Sequence, residues 1–185
     1  MSGALDYVID TIFQVVCALF LARFILQASR ADFYNPISQG VVKATDPLLK
    51  PMRLILPGYK NFDTSAFVAA WLFKVIAIAL IVAVDSQFLP SIAHLILRGL
   101  YDVLRLLVQI YWFAIIVVVI QSFVAPGTYH PIATLLQQVT EPILAPARKV
   151  IPPFGGLDLS PILVFMILGL ISNYLLPVLF RSLLM

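Results

Sequence analysis

The chain has 185 residues, of which 62% are apolar and 11% charged, with a net charge of +3 and a mean hydropathy of +1.02. A soluble domain carries about 45–50% apolar and about 25% charged residues, so this composition excludes an ordinary soluble fold and indicates an all-α membrane protein. One cysteine and two histidines exclude an intrachain disulfide and leave too few donors for a metal or haem site, so we expect no cofactor. We attribute the excess of basic over acidic residues to the orientation of the chain in the membrane, and we expect no nucleic-acid binding.

The first span is predicted at about 5–28, and its apolar centre lies between Asp10 and Arg23. About 20 apolar residues cross the hydrocarbon core at a rise of 1.5 Å per residue. Arg23 lies close enough to the end of the span for its long side chain to reach the interface. Gln14 is expected to form a hydrogen bond across the helix bundle with Gln109 of a later span.

A proline-rich segment, 35–58, follows the first span. Asn35 before a proline predicts a capped helix start and a short amphipathic helix along the membrane surface. Thr45 and Asp46 before a second proline predict that the helix restarts, and Pro51 predicts a bend or break four residues further on. We therefore expect a hairpin that either lies at the interface or re-enters the bilayer.

The second span, about 65–84, carries Lys74 near its middle. A charge at the bilayer centre costs at least about 2.5–3.5 kcal/mol on insertion scales, so Lys74 should face the bundle interior and have a partner. Asp10 and Asp85 are the acidic candidates from neighbouring spans. A functional and a structural role for Lys74 are both open at this point.

The third span is predicted at about 104–124, after an amphipathic lead-in. Asp102 and Arg105 are three residues apart on one helix, and we expect them to neutralise each other. Gln109 occupies the position that Gln14 has in the first span. The remainder of this span carries no formal charge.

The pattern of residues 34–66 recurs 95 positions later, with eleven identities in 33 ungapped positions. The segment 130–153 is therefore a second proline hairpin, and the fourth span, about 160–184, repeats the second span. Two parallel repeats are predicted, 1–95 and 96–185, each made of span, proline hairpin and span and related by an axis along the membrane normal. The recurring residues of the first copy are Tyr34, Pro36, Ile37, Thr45, Pro47, Leu49, Pro51, Arg53, Pro57, Asp63 and Ser65.

Four crossings place both termini on one side of the membrane. Seven Lys or Arg residues follow the first and third spans, against three near the span ends on the opposite side. The positive-inside rule then predicts that both proline segments are cytoplasmic and that both termini lie on the outer side.

Charged and hydroxyl side chains of the repeated motif are the candidate interaction site. They could form a polar cluster at the cytoplasmic mouth that binds an ion, a lipid head group or a partner. Alternatively, they form ion pairs that close each hairpin, with the Asp capping the next span. The candidates are Thr45, Asp46, Arg53, Asp63 and Ser65, and their repeat partners Thr140, Glu141, Arg148, Asp158 and Ser160.

The doubled pattern Asn/His-Pro, Thr-Asp/Glu-Pro, Pro-x-Arg and Asp-x-Ser resembles the YggT family of small bacterial inner-membrane proteins, whose plastid and Gram-positive relatives are called YlmG. The match covers both repeats and hence nearly the whole chain. Thr64 and Ala66 depart from the Asp-Leu-Ser-Pro form that the second copy has at 158–161. The resemblance implies an inner-membrane location, so the outer side on which the positive-inside rule places both termini is the periplasm. It also implies associations with osmotic stress tolerance, potassium balance and cell division, and in plastids with cytochrome maturation and nucleoid distribution.

Two functions remain as hypotheses. The preferred one is a non-enzymatic scaffold or assembly factor that presents the two cytoplasmic hairpins to another membrane protein, to lipid or to a second copy of itself. The alternative is an ion channel or transporter subunit, linked to potassium and acting as an oligomer, which Lys74, Gln14 and Gln109 suggest. An enzyme is not expected, because no nucleophile and base can be paired.

Overall fold

The computed structural model describes residues 2–85, 90–124, 130–154 and 158–184, and these ranges are almost entirely helical. A β-bridge joins Tyr59 and Phe62. In chain order the elements are α1 (Ser2–Ala28), α2 (Pro36–Ile55), α3 (Thr64–Asp85), α4 (Ile92–Val124), α5 (Pro131–Val150), α6 (Ser160–Leu170), a π-helical turn (Ile171–Leu175) and α7 (Leu176–Leu184).

Four helical stretches are long and apolar enough to cross a membrane, as the sequence predicts. The third is longer than expected, because its lead-in joins the span in one helix of 33 residues. At 1.5 Å per residue this helix is about 50 Å long, against about 30 Å of hydrocarbon core. The four stretches are Gly3–Ala28, Thr64–Val84, Ile92–Val124 and Ser160–Arg181.

The proline-rich segments differ from the expected hairpins. α2 and α5 are each one continuous helix of 20 residues, and the expected break at Pro51 and its repeat partner Pro146 is wrong. A proline removes one hydrogen bond, to the carbonyl four residues earlier. In α2 the carbonyls freed in this way belong to Lys43 and Pro47, both exposed residues that water can reach, so the helix continues.

Both proline helices begin as predicted. The Asn35 side chain accepts a hydrogen bond from the backbone N–H of Ile37 at 2.9 Å. The His130 ring accepts one from the N–H of Ile132 at 3.3 Å. Each cap satisfies a donor that the first turn of a helix leaves free.

Two apolar clusters hold the helices together, and α4 belongs to both. In the first cluster α1 packs closely on the alanines of α3, and the Cys17 thiol donates to the carbonyl of Ala70 at 3.3 Å. Leu49 of α2 is buried in this cluster, and its repeat partner Leu144 of α5 is buried in the second. One side of each proline helix is therefore packed against the spans.

Candidate functional site

Four charged side chains form a cluster where α1, α2 and the start of α3 meet, which we call the α2 cluster: Arg23, Asp46, Arg53 and Asp63. Arg23 Nη1 lies 3.2 Å from Asp46 Oδ1, and its Nε lies 3.7 Å from Asp63 Oδ2. Arg53 forms an ion pair with Asp63 and lies 3.9 Å from Asp46. The Asp63 side chain is only 1% exposed. Two guanidinium groups thus neutralise two carboxylates, one of which is fully buried.

The hydroxyl groups of the motif fasten the connection between α2 and α3. Ser65 Oγ donates to the carbonyl of Leu56 at 2.6 Å, and Asp63 Oδ1 accepts from the N–H of Ala66 at 3.2 Å. This cap at the start of α3 confirms the geometry that the sequence predicts for Asp63. Thr45 Oγ1 accepts from Arg23 at 3.4 Å and donates to the carbonyl of Val41 at 2.7 Å.

The second copy forms a smaller cluster, which we call the α5 cluster: Glu141, Arg148 and Asp158. Arg148 Nε lies 2.8 Å from Asp158 Oδ2, and its Nη1 lies 2.7 Å from Glu141 Oε1. The Asp158 side chain is 34% exposed. Asp158 Oδ1 accepts from the N–H of Ser160 at 2.9 Å. Thr140 Oγ1 donates to the carbonyl of Leu136 at 2.9 Å, as Thr45 does to its own helix.

Ion pairs and hydrogen bonds within the α5 cluster favour the ionised forms of Arg148 and Asp158. Hydrogen bonds to Asp158 and Glu141 raise the pKa of Arg148 above its ordinary value. Burial raises the pKa of Asp158, but hydrogen bonds from Ser160 and Arg148 outweigh it, so that pKa lies below its ordinary value. Both partners are therefore held in their ionised forms.

Within the spans, Lys74 has the partner that its position requires. Its Nζ donates to Asp10 Oδ1 at 2.8 Å, and the Lys74 side chain is only 9% exposed. Asp10 is one of the two partners that the sequence suggests, whereas the side chain of Asp85 lies outside the described residues. The lysine is thus neutralised by the neighbouring span.

The expected pairing of Asp102 with Arg105 is wrong. Asp102 Oδ2 instead lies 3.4 Å from Arg98 Nε, one helical turn earlier. Residues four apart face each other on a helix as readily as residues three apart, so spacing did not decide between the two arginines. Arg105 forms no ion pair with any residue in the described ranges.

Polar side chains of the spans line two neighbouring cavities beside α4, and Arg105 and Gln109 line both. The first cavity, of about 400 Å³, lies between α1, α3 and α4. The second, of about 420 Å³, lies between α4 and the last span. The polar lining of the first is Asp10, Gln14, Lys74, Arg98, Asp102, Arg105 and Gln109, and that of the second is Arg105, Gln109, Ser172 and Asn173.

The two glutamines meet at the first cavity but do not bond. Gln14 and Gln109 both line it, yet no hydrogen bond joins them within the part of the chain that the structure describes, so that prediction is wrong. Sequence reasoning also missed Ser172 and Asn173. Their residue types are the signal that was available, because polar side chains within a predicted span face the bundle interior or a cavity.

Comparison with known proteins agrees with the doubled sequence. The CCB3/YggT family model matches residues 2–84 and 97–179, two stretches that begin and end 95 residues apart. An uncharacterised protein of Pseudomonas aeruginosa is 42% identical over 173 residues, which are 93% of this chain and 88% of that protein. The uncharacterised protein YggT of Escherichia coli K12 is 31% identical over 170 residues, with coverage of 92% and 88%. No solved structure matches the chain. The chain belongs to the CCB3/YggT family.

Proposed function

We propose that this protein is a non-enzymatic docking or assembly factor of the bacterial inner membrane. It presents α2 and α5 at the cytoplasmic face to another membrane protein. The observation that supports this proposal is a pair of proline helices that are bound to each other and to the spans, yet expose apolar side chains.

The N-terminal ends of the two proline helices are tied together. Asn35 Nδ2 donates to the carbonyl of Pro131 at 2.8 Å. Just before α2, the N–H of Asp32 donates to the Gln138 side chain at 2.8 Å. The α2 and α5 clusters bind the other ends of the two helices to the starts of α3 and α6. Helices that are held at both ends lose little conformational entropy when a partner binds to them.

The C-terminal ends of these helices carry exposed apolar residues in equivalent positions of the two repeats. Ile55 and its partner Val150 are 82% and 71% exposed, and Tyr59 and its partner Phe154 are 65% and 81% exposed. Large exposed apolar side chains at equivalent positions of two rigidly held helices are typical of interaction surfaces. We call these four residues the docking surface.

Site-specific photo-crosslinking in native membranes tests the proposal. A photoreactive residue at position 55 or 150 should trap one defined protein, and the same partner from both positions. Tyr7, which is exposed near the start of α1, is the control position and should not give that adduct. Adducts with lipid alone from positions 55 and 150 would contradict the proposal.

Thiol labelling tests the proposed orientation. Cys17 is buried, so the unmodified protein should label weakly. A cysteine at exposed Lys149 should react with a membrane-impermeant reagent only after the inner membrane is opened, whereas one at exposed Ser91, just before α4, should react in intact spheroplasts. The reverse pattern would contradict cytoplasmic proline helices.

An oligomeric channel or transporter subunit is the second candidate, and the first cavity is the observation that favours it. Both carboxylates that line this cavity are ion-paired and Arg105 adds a further positive charge, which weighs against a potassium path. Ion flux in liposomes that contain the purified protein tests this candidate. Flux equal to that of empty liposomes would contradict it.

A further inference from the structure

Four polar side chains in the spans converge on the second cavity without a partner. Arg105 and Gln109 come from α4, and Ser172 and Asn173 come from the π-helical turn. None of their side chains forms a hydrogen bond or ion pair with a residue in the described ranges. All four lie within stretches apolar enough to cross a membrane. Arg105 lies at the outer end of the span predicted at about 104–124, at the depth of the lipid head groups, where these side chains can reach a partner from outside the chain.

The charge balance around Arg105 selects an anion. The carboxylates that line the first cavity are already neutralised, Asp10 by Lys74 at 2.8 Å and Asp102 by Arg98 at 3.4 Å. Arg105 is the surplus cation, and its side chain is exposed. A guanidinium group matches the oxygens of a phosphate in a bidentate manner, and the adjacent amide of Gln109 can donate to the same oxygens.

The second cavity becomes apolar further along α4. Trp112, Phe113 and Ile116 line it and are exposed in the absence of a ligand. From Arg105 to Ile116 the helix rises about 16 Å at 1.5 Å per residue, a length on the scale of an acyl chain within one leaflet. The lining therefore has a cationic end and an apolar, partly aromatic continuation.

We propose that the second cavity binds a phospholipid, with the head-group phosphate on Arg105 and Gln109 and an acyl chain along Trp112, Phe113 and Ile116. Inorganic phosphate would satisfy Arg105 but would leave the apolar wall uncovered. A second copy of the chain, packed through this face about a two-fold axis, would bring two Arg105 side chains together and place like charges in the interface.

Gly169 offers a way to block this site without removing a charge. It lies on the wall opposite α4, and a Cβ built there meets nothing within 4 Å. Leucine at this position should fill the cavity without disturbing the packing of the protein. Gly3 is equally unobstructed near the start of α1, so Gly3→Leu is the matched control.

Lipid binding to the purified protein in mild detergent, measured by native mass spectrometry, tests the proposal. Phosphatidylglycerol should bind the unmodified protein and Gly3→Leu equally. Loss of one charge-assisted contact in Arg105→Gln should weaken binding roughly tenfold. Gly169→Leu should weaken it as much or more, and Lys149→Gln should leave it unchanged as the charge control. Circular dichroism is the control that checks whether each variant is folded.

Three results would overturn the proposal. The first is equal binding of phosphatidylglycerol to the unmodified protein, Arg105→Gln and Gly169→Leu. The second is full competition by inorganic phosphate at equal concentration, which would identify a site for the free anion. The third is a change of oligomeric state in Gly169→Leu, because a second copy of the chain would then be the occupant.

Discussion

The two repeats use the same motif but surround it differently. In both, an arginine of the proline helix pairs with the aspartate that precedes the next span, yet the Asp63 side chain is 1% exposed and that of Asp158 is 34% exposed. One position in the preceding span differs with it, because the first repeat has Arg23 where the second has Val118. A second guanidinium group allows the first carboxylate to be buried and bound on two sides.

The charged residues within the spans also form more ion pairs in the first repeat than in the second. At equivalent positions the first repeat has Asp10 and Lys74, which pair at 2.8 Å, whereas the second has Arg105 and Gly169. The first repeat thus neutralises its intramembrane charge internally, and the second leaves an arginine beside an open wall.

The largest expected effect is the contrast between Asp63→Asn and Asp158→Asn. Asparagine keeps the shape and the cap but removes the charge. At position 63 this leaves Arg23 and Arg53 with Asp46 as their one shared carboxylate beside a buried site, which should cost about 3–5 kcal/mol of unfolding free energy. At the half-exposed position 158 the cost should be about 1 kcal/mol or less. Denaturation in detergent followed by circular dichroism measures both, and equal losses would contradict the comparison.

The intramembrane pair should also be costly to break. Asp10→Asn leaves the buried Lys74 ammonium without its carboxylate, and we expect a loss of about 2–3 kcal/mol. Lys74→Met in the Asp10→Asn background should recover most of that loss, because the unpaired charge is removed. A double-mutant cycle on the unfolding free energy measures the coupling, and additive losses would show that the pair contributes nothing.

A smaller effect is expected when the first repeat is made to resemble the second. Arg23→Val removes the guanidinium group that the second repeat lacks, but Arg53 continues to neutralise Asp63. We therefore expect a loss of about 1–2 kcal/mol, less than for Asp63→Asn. The same denaturation assay ranks the two variants. A larger loss for Arg23→Val than for Asp63→Asn would contradict this order, and it would show that the burial of Asp63 depends on Arg23 alone.

The smallest effect is the pH dependence of the α5 cluster. Because the pKa of Asp158 is lower in the folded protein, its stabilising contribution is present above the ordinary carboxyl pKa of about 3.9 and is lost as pH falls through the folded value. The stability difference between the unmodified protein and Asp158→Asn should therefore be constant from pH 5 to 8 and shrink below about pH 4. A difference that shrinks between pH 8 and 5 would contradict the pairing.

Hydropathy and the repeat were sufficient to predict the four spans, the caps of α2 and α5 and two candidate partners for Lys74, of which Asp10 forms the ion pair. Each of these depends on local composition or on the cost of an unpaired charge in lipid. The break at the prolines was wrongly predicted because the sequence alone does not show which side of α2 is exposed. Packing of Leu49 against the spans decides this, and it leaves the freed carbonyls of Lys43 and Pro47 on the side that water reaches.

The sequence also could not show that Arg105 does not pair with Asp102 and that Gln109 does not bond to Gln14. Which face of α4 meets α3, and which meets the last span, depends on helix rotation and tilt in the assembled bundle. Arg23 was predicted to reach the interface, but its partners Asp46 and Asp63 were not predicted. Long-range pairs of this kind follow from tertiary packing rather than from spacing along one helix.

The most direct test of the open second repeat is the mass of the folded protein released from mild detergent after extraction from native membranes. The account predicts that the unmodified protein and Gly3→Leu retain one endogenous phospholipid, and that Gly169→Leu, with every charge in place, has lost it. Retention of the same lipid by all three proteins would contradict the claim that the wall beside Arg105 is open to a ligand.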